Sequence, residues 1–393
     1  NAIEEKKMLD AILEARDRKL YNAITDCGAG GFSSAVGEMG EELGAEVELS
    51  EVPLKHTGMK PWEIWLSESQ ERMVVSVPEK NLQKLREICE KEGTGIAVIG
   101  RFTATKKLIV KHKSKTVAEL GMDFLHDGLP KQKRKAVYRE KKAKTQQQLQ
   151  RRKISGRNYN ETLMKLLGMP SIASKEWVIR QYDHEVQANT IIKPLTGAAN
   201  DGPSDASVVR PVFGSRKGIA VANGINPRYG IISPYWMAAA AIDEALRNIV
   251  ATGGSLGKTA ILDNFCWANT DEPERLGTLV MAAKACKDFA TAYGTPFISG
   301  KDSLHNEVVS NGKRIPILDT LLISAIAVID DIDNIVTMDI KKEGSSIYGI
   351  GETKNEMGGS HYNEMLGLGL ETGNVPVIDA AKSKRTFAAV EEA

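Results

Sequence analysis

The chain has 393 residues, which exceeds one ordinary compact core and predicts two or three domains. It carries 52 basic and 51 acidic side chains, with 42% hydrophobic and 26% charged residues, so its net charge favours no class of partner. The longest apolar stretch, residues 318–329, contains Asp319 and is shorter than the roughly 20 residues that span a bilayer.

The cysteines and the N-terminal residues indicate the cellular compartment of the protein. Four cysteines show no close pairing in the sequence: Cys27, Cys89, Cys266 and Cys286. Free thiols and the lack of a secretory signal pattern predict a cytoplasmic location. Residues 1–2 precede an acidic helix without an initiator methionine, and we interpret them as a tag remnant.

The first third of the chain alternates between helix and strand patterns, which is typical of an α/β or α+β fold. Apolar residues at helical spacing predict a helix over residues 3–18, then a strand over 21–25. A glycine cluster after Asp26 opens a second helix. Further strands are predicted at residues 72–77, 95–98, 108–110 and 117–120, with a helix at 79–91.

Residues 131–157 are rich in basic side chains, and Glu140 is the only acid among them. This composition predicts a solvated, partly helical linker. Contact with a nucleic acid is the alternative, although a basic run alone supports it weakly.

The part after the linker alternates again. Strands are predicted at residues 190–193, 206–210, 218–222, 259–263, 296–299 and 320–328, and helices at 235–251 and 274–293. Residues 339–344 and 346–351 look like the opening of a further domain, which ends in a predicted helix at 382–392.

The first motif is DCGAGGFSS at residues 26–34, between a predicted strand and helix. Small residues let backbone amides approach an anion at a helix start, and Asp26 could hold a Mg²⁺ that bridges phosphates. A tight strand-to-helix turn without a ligand is equally compatible with the spacing.

The second motif is LSESQERM at residues 66–73, a dense polar run before a strand. Glu68, Ser69 and Gln70 offer acid, hydroxyl and amide groups that suit a polyhydroxylated, phosphorylated ligand. A solvated loop is the other interpretation of the run.

A third group of candidate site residues consists of acids and an amide in the part of the chain after the linker. Glu244 and Asn248 are four residues apart and share a helix face, while Asp205 precedes a strand and Asp263 ends one. Oxygen ligands of this kind favour Mg²⁺ over zinc. A capped or salt-bridged helix face is the alternative.

The fourth motif is ISGKDSL at residues 298–304, at a predicted strand end. Gly300 permits close backbone approach, Lys301 can neutralise phosphate, and Ser303 can bond a phosphate oxygen. The spacing differs from a P-loop. Cys266 has no base nearby in sequence and is predicted to be a core thiol.

In this order the motifs resemble the synthetase component of the phosphoribosylformylglycinamidine synthase family, related to aminoimidazole ribonucleotide synthase. Four further stretches extend the resemblance: IASKEWVIRQYDHEV at 172–186, GINPRYG at 224–230, DEALRNIVATGG at 243–254 and SGKDSLHNE at 299–307. The resemblance implies a cytoplasmic, ATP-dependent carbon–nitrogen ligase of purine biosynthesis. That enzyme phosphorylates formylglycinamide ribonucleotide and displaces the phosphate with ammonia from glutamine.

The resemblance also implies roles for single residues. Glu68, Ser69, Gln70 and Ser303 would bind substrate, and Asp263, Gly300 and Lys301 the nucleotide, ATP or ADP. Magnesium ligands would be Asp26, Asp205, Glu244 and Asn248. Lys301 stands where smaller members have a metal-binding Asn, so a metal role there is in doubt. In larger members the second nucleotide site is structural, and either role is open here.

The family has tandem A and B modules, an α/β (α+β) fold, and the chain would be truncated at both ends. Residues 3–130 would be the end of a first B domain, 131–180 a linker and helix, 181–332 a barrel-forming second A domain, and 333–393 the start of a second B domain. The histidine-bearing first A domain would be missing, so no catalytic residue is assigned, and the chain alone is expected to be inactive.

The resemblance implies a glutaminase subunit or domain as partner and no membrane or specific nucleic acid. We also expect residues 3–130 and 333–393 to complete one domain, within a chain or in a homodimer. Another ATP-using member of the superfamily, such as a selenophosphate synthetase or thiamine-phosphate kinase, should lack SESQERM and ASKEWV. A non-enzymatic nucleic-acid binder would show affinity that falls steeply with salt.

Overall fold

The computed structural model describes residues 2–141, 158–181, 185 and 187–393. The chain forms two compact units, Asn1–Lys133 (unit 1) and Arg134–Ala393 (unit 2). Within the described ranges, no helix combines the length and the apolar character needed to cross a membrane. Both units mix helices with sheets, which confirms the predicted α/β (α+β) class.

Unit 1 is described over residues 2–133 and contains five helices and six strands there. The helices are α1 (Ala2–Asp17), α2 (Phe32–Met39), α3 (Pro61–Leu66), α4 (Glu79–Glu92) and α5 (Met122–Asp127). The strands are β1 (Ala23–Asp26), β2 (Ala45–Glu48), β3 (Met73–Ser76), β4 (Gly100–Phe102), β5 (Lys107–His112) and β6 (Lys115–Gly121). An antiparallel pair joins β1 to β3, and the other strands form a sheet in the order β4-β2-β5-β6.

Two apolar clusters support unit 1. In one, α1 packs on α4 through buried residues that include Ala15, Leu85 and Ile88. In the other, Phe32 and Val36 of α2 are buried with Val47 of β2 and Val110 of β5. The second cluster fixes α2, and with it the turn that precedes this helix.

The described part of unit 2 contains six helices and eight strands. The helices are α6 (Tyr159–Leu167), α7 (Glu176–Ile179), α8 (Pro234–Ala251), α9 (Pro273–Tyr293), α10 (His361–Met365) and α11 (Ala380–Glu392). The strands are β7 (Thr190–Ile192), β8 (Ser207–Val209), β9 (Gly218–Ile225), β10 (Thr259–Cys266), β11 (Phe297–Ser303), β12 (Glu307–Ser310), β13 (Lys313–Pro316) and β14 (Thr320–Ile329).

A six-stranded sheet in the order β11-β10-β14-β9-β8-β7 organises unit 2. β10 and β11 are parallel, whereas the other neighbours are antiparallel. The sheet packs on α8 and α9, and Gly224 permits close contact, because a Cβ there would lie 2.0 Å from the Ala241 carbonyl oxygen. The opposite face keeps apolar side chains exposed, among them Val221, Ile225 and Val328.

The last helix, α11, packs against α8 and α9. Phe387 stacks on Tyr293 with ring centroids 6.0 Å apart, and the Tyr293 hydroxyl donates to Asp243 Oδ1 at 2.6 Å. The predicted helix at residues 382–392 is therefore confirmed, and its role is to extend the helical layer of unit 2.

Most predicted elements are present, but one predicted strand is wrong. Residues 95–98 form no strand, and the chain becomes extended in β4 only from Gly100. Ile96 and Ile99 instead pack against separate apolar clusters, which explains the apolar run. Strand β2 and the β12–β13 hairpin were not predicted.

The predicted linker is described over residues 131–141, which are mostly exposed, as predicted. Residues 131–141 contain no helix, and Val137 N donates to Pro273 O at 2.8 Å. Gly277 of α9 allows this contact, since a Cβ there would lie 2.1 Å from Val137 O. Lys141 Nζ also donates to Ile231 O at 3.0 Å. Residues 142–157, and residues 182–184 and 186 at the end of the IASKEWVIRQYDHEV stretch, lie outside the described residues.

Candidate functional site

The glycine turn, residues 28–31, joins β1 to α2. Gly30 and Gly31 have φ of 78° and 59°, a region that glycine adopts without steric cost. Gly31 is the residue before α2, and Ser33 Oγ donates to Gly30 O at 2.7 Å. The sequence thus folds into a tight turn whose shape depends on glycine at two positions.

The polar loop, residues 67–70, lies directly against the glycine turn. Gly30 N donates to Glu68 Oε1 at 3.0 Å, and a Cβ on Gly31 would lie 2.4 Å from Ser67 O. The first two sequence motifs are therefore brought together, although 38 residues separate Gly30 from Glu68. Glu68 already holds one amide of the turn that was predicted to face an anion.

The polar loop also has internal contacts. Ser67 Oγ and Ser69 Oγ lie 3.0 Å apart, and Gln70 Nε2 donates to Glu68 O at 3.0 Å. Glu68, Ser69 and Gln70 are all exposed, so their side chains remain accessible to a ligand. The loop is thus ordered and open at the same time.

Asp26 ends β1 beside the same turn, where it pairs with Met73. Its Oδ2 would lie 2.6 Å from a Cβ on Gly28, so the small residue leaves room for the carboxylate. Burial raises the pKa of the adjacent Cys27 thiol, which keeps this sulfur protonated and unreactive at neutral pH. Asp26 is exposed and can offer oxygen to a cation or to solvent.

In unit 2, Asp263 and Gly300 face each other across the parallel strands β10 and β11. Asp263 Oδ1 would lie 2.4 Å from a Cβ on Gly300, so glycine is what allows the carboxylate to lie over β11. Burial raises the pKa of Asp263, and the nearby Asp302 adds to the rise, while the Lys301 backbone N–H opposes it. The carboxylate is therefore partly desolvated.

Lys301 and Ser303 follow Gly300 on β11. Lys301 Nζ donates to Ser303 Oγ at 2.6 Å and to Asp302 O at 3.1 Å. This places an ammonium group and a hydroxyl side by side on an exposed strand, an arrangement that can bind an anionic oxygen. The predicted phosphate and substrate contacts are thus adjacent in space.

Glu244 and Asn248 lie on α8 at the end of β9. Glu244 Oε2 accepts from Ile225 N at 2.9 Å and from Asn226 Nδ2 at 2.8 Å. Asn248 Nδ2 donates to Asn223 O at 3.0 Å. The shared helix face is confirmed, and both side chains bond the end of β9 and the residue after it. Neither contact caps a helix, since α8 is capped by Ser233 and Thr252.

Asp205 is exposed and lies two residues before β8, whose Ser207 pairs with Val221 of β9. Asn248 contacts Asn223, two residues beyond Val221, so Asp205 and Asn248 lie at the same end of this ladder. Because Asn248 donates to Asn223 O through Nδ2, its side-chain oxygen Oδ1 can still accept a bond from, or coordinate, a ligand. Three oxygen donors at one strand end fit the hard-cation chemistry predicted for Mg²⁺.

The two groups of unit 2 lie in one row of the sheet. Gly224 of β9 pairs with Ile323 of β14, which pairs with Asp263 of β10. Two strand spacings separate the backbones of Gly224 and Asp263, about 10 Å. In the part of the chain that is described, no cluster of three or more His, Cys, Asp or Glu side chains could hold a metal. The magnesium ligands predicted in unit 2 are only two acids and an amide, Asp205, Glu244 and Asn248.

Several features were missed from the sequence. Arg72 donates to the carbonyls of Ser69 and Ser67, and Asn226 bonds Glu244, yet neither was assigned a role. An apolar cavity of about 340 Å³ lies near the start of β10 and is lined by residues that include Ile219, Lys258, Ala260, Pro296, Ile326 and Val328. None of its lining residues is a predicted site residue. Cys266 is half-buried with its Sγ 3.5 Å from Asn264 Oδ1, rather than the core thiol that was predicted.

Comparison with known families accounts for both units. The model of the AIR synthase related protein, C-terminal domain, matches residues 1–113, and that of the N-terminal domain matches residues 203–338. The two matches together include more than half of the chain and every predicted site residue. The chain belongs to the AIR synthase related family.

Curated AIR synthase related relatives share the name phosphoribosylformylglycinamidine synthase subunit PurL. The chain is 36% identical to that of Methanocaldococcus jannaschii, covering 100% of this chain and 52% of the relative. It is 37% identical to the protein of Rhodopseudomonas palustris, over 97% of this chain and 50% of the relative. Identity to the protein of Picrophilus torridus is 35%, over 93% of this chain and 48% of the relative. The chain spans about half the length of the curated relatives it matches.

Solved AIR synthase related structures show the same fold. The PurLQS structure from Thermotoga maritima has a TM-score of 0.65 at 25% identity, covering 85% of this chain and 51% of that one. PurL from the same organism complexed with ADP has a TM-score of 0.64, and complexed with FGAR 0.63, both at 26% identity. Both matches cover 84% of this chain. They cover 50% of the solved chain in the ADP complex and 49% in the FGAR complex.

Proposed function

We propose that this chain serves a phosphoribosylformylglycinamidine synthase, an ATP-dependent carbon–nitrogen ligase of purine biosynthesis. The reaction converts formylglycinamide ribonucleotide into formylglycinamidine ribonucleotide with ammonia derived from glutamine. The observation that carries the proposal is 35–37% identity to PurL proteins over at least 93% of this chain.

The glycine turn and the polar loop of unit 1 are proposed to bind the substrate. Glu68, Ser69 and Gln70 offer exposed acceptors and donors for ribose hydroxyls and the formylglycinamide group. The contact of Gly30 with Glu68 supports a joint role, because it makes the turn and the loop one surface. Asp26, at the edge of that surface, would hold a metal ion.

The sheet of unit 2 is proposed to bind ATP or ADP. Asp263 and Gly300 would contact the nucleotide, Lys301 a phosphate oxygen, and Ser303 the substrate. Asp205, Glu244 and Asn248 would hold Mg²⁺, which when bound neutralises phosphate charge. The available carbonyl oxygen of Asn248 and the exposed carboxylate of Asp205 support this assignment.

Partners follow from the same proposal. A PurLQS structure is among the similar solved proteins, and we propose a glutaminase subunit or domain that supplies ammonia. All four cysteines are free thiols, which supports a cytoplasmic location. Association of two copies through residues 3–130 and 333–393 remains our proposal, and sedimentation analysis would test it: a species of one copy only, at all concentrations, would exclude the dimer.

Calorimetric titration tests the substrate site of unit 1. Formylglycinamide ribonucleotide should bind the chain, and Glu68→Gln should weaken binding by about tenfold, because one charged acceptor is lost. Glu79→Gln is the matched control, since Glu79 is exposed on α4 in the same unit. Equal affinity of both variants, or no binding by the unsubstituted chain, would contradict the proposal.

A further inference from the structure

Arg72 determines the shape of the polar loop from a position outside it. Its Nε donates to Ser69 O at 2.8 Å, and its Nη2 donates to Ser67 O. The planar guanidinium can make both bonds at once because its donors have a fixed fork geometry. One side chain therefore joins the carbonyls of two alternate loop residues.

The same guanidinium is anchored on the glycine-turn side. It lies over the ring of Phe32, with Cζ 4.7 Å from the ring centroid, within the range of a cation–π contact. Phe32 begins α2 and is buried in the core of unit 1. Arg72 O also accepts from Cys27 N at 3.0 Å, so its backbone is fixed beside the turn.

The loop needs such an anchor. Glu71, between the loop and Arg72, has φ of 57°, a conformation that costs a residue with a Cβ free energy. Strained backbone of this kind persists only where surrounding contacts fix it. The two carbonyl bonds and the ring contact of Arg72 supply these contacts on both sides of Glu71 in the structure.

We propose that Arg72 is a positioning residue for substrate binding, which holds the polar loop in the shape that presents Glu68, Ser69 and Gln70. The proposal rests on the proposed function of this loop. Arg72 directs its donors to loop carbonyls, so it acts through the loop and not on the reacting atoms. Its effect extends to Gly30, whose amide it does not touch, because Glu68 reaches that amide only from the ordered loop.

Two substitutions and a chemical rescue test the assignment in the full chain. Arg72→Ala should weaken calorimetric binding of formylglycinamide ribonucleotide by at least about tenfold. Arg72→Lys should recover only part of the affinity, since an ammonium group lacks the fork. Millimolar guanidinium should restore binding to Arg72→Ala, whereas ammonium at the same concentration should not. Arg101→Ala is the control, because Arg101 is 75% exposed in the same unit.

A second readout is independent of the substrate. In Arg72→Ala, amide hydrogen exchange at Gly30 should accelerate about tenfold while the melting temperature stays close to that of Arg101→Ala. Unchanged exchange at Gly30 would overturn the assignment whether or not the substrate binds. If exchange accelerates but the unsubstituted chain binds no substrate, the proposed function fails and the role of Arg72 in holding the loop stands. Equal substrate affinity of Arg72→Ala and the unsubstituted chain would also overturn the proposal.

Discussion

The predicted sites of the two units are built differently. In unit 1, side chains of one motif contact the backbone of another, as Glu68 does with Gly30. In unit 2, Asp263, Gly300 and Lys301 lie within the paired strands β10 and β11, although the sequence predicted them at strand ends. Glu244 and Asn248 lie on α8 and bond the backbone of β9 and its neighbour Asn226. The glycine turn thus contacts a second motif, whereas in unit 2 strand register places Asp263 beside Gly300, and hydrogen bonds from α8 to β9 place Glu244 and Asn248.

The difference predicts where substitutions act. A change in the glycine turn should disturb the loop and its ligand together, because the two share contacts. A change at the sheet should affect one ligand group at a time, because separate strands carry the groups. The first two tests below compare a site glycine with a glycine that lacks its contacts.

The largest effect is expected for Gly31→Ala in unit 1. A Cβ there meets Ser67 O at 2.4 Å, whereas a Cβ on Gly58 meets nothing within 4 Å. Both glycines have positive φ, at 59° and 85°, so Gly58→Ala controls for backbone strain. Gly31→Ala should lower the free energy of unfolding by about 2 kcal/mol more than the control. Urea unfolding measures the free energy of unfolding of both variants. Equal losses in the two variants would show that the contact between the glycine turn and the polar loop does not stabilise unit 1.

The next effect is expected at Gly300. An alanine there would push the Asp263 carboxylate from its place over β11, because its Cβ would lie 2.4 Å from Asp263 Oδ1. Affinity for ADP in the presence of Mg²⁺ should fall about tenfold by calorimetry, since one charged contact is lost. Gly349→Ala is the control, as a Cβ at Gly349 meets nothing within 4 Å. Substrate affinity should stay unchanged in both variants, and a loss in Gly300→Ala alone would mean that the two sites are coupled.

Glu244 and Asp205 separate the ligand role from the structural role. Glu244→Ala removes the acceptor of two hydrogen bonds, so it should lower the free energy of unfolding by about 1–2 kcal/mol. It should also weaken Mg²⁺-dependent ADP binding severalfold. Asp205→Ala should weaken the same binding at almost no cost in stability, because Asp205 is exposed. Unchanged nucleotide affinity in either variant removes that residue from the metal site.

The smallest effects should appear in the pH dependence of stability, with opposite signs in the two units. Burial raises the pKa of Asp263, so ionisation of this group disfavours the folded state as the pH rises above about 4. Asp263→Asn should therefore gain stability relative to the unsubstituted chain between about pH 4 and pH 7, while losing nucleotide affinity. Urea unfolding across pH measures the gain, and a gain that does not change with pH would contradict this cause.

Glu48 of unit 1 provides the opposite case. The Ser50 hydroxyl and the backbone N–H groups of Ser50, Ser114 and Lys113 lower its pKa from 4.5 to about 2. The stability that it contributes is present above pH 4.5 and is lost as the pH falls towards 2. Glu48→Gln should be the less stable chain at neutral pH, and the difference should shrink as the pH falls through about 2. A difference in stability that stays constant across this range would contradict this cause of the lowered pKa.

Long periodic segments of the fold could be predicted from the sequence. Helices α8 and α9 and strand β14 have lengths and apolar spacing that leave little choice of period. Strand β2 has four residues, AEVE, and only its pairing with β4 and β5 makes it a strand. Residues 95–98 show the reverse error, because a short apolar run can equally be a loop that packs on the core.

Composition and spacing indicated which residue types could form a site, but not which motifs would meet. No local pattern shows that Glu68 reaches Gly30, because the contact depends on how β1 pairs with β3. The role of Arg72 is hidden for the same reason, since its partners are backbone carbonyls that the sequence does not distinguish. Helical spacing, in contrast, was sufficient to place Glu244 and Asn248 on one face.

The central claim is that the glycine turn and the polar loop form one substrate surface. Hydrogen exchange with and without formylglycinamide ribonucleotide tests it directly, because each amide of the surface reports separately. We predict that the ligand slows exchange at residues 28–34 and 67–72 together and leaves residues 218–225 unchanged. Protection confined to unit 2, or to only one of the two unit 1 segments, would contradict the claim.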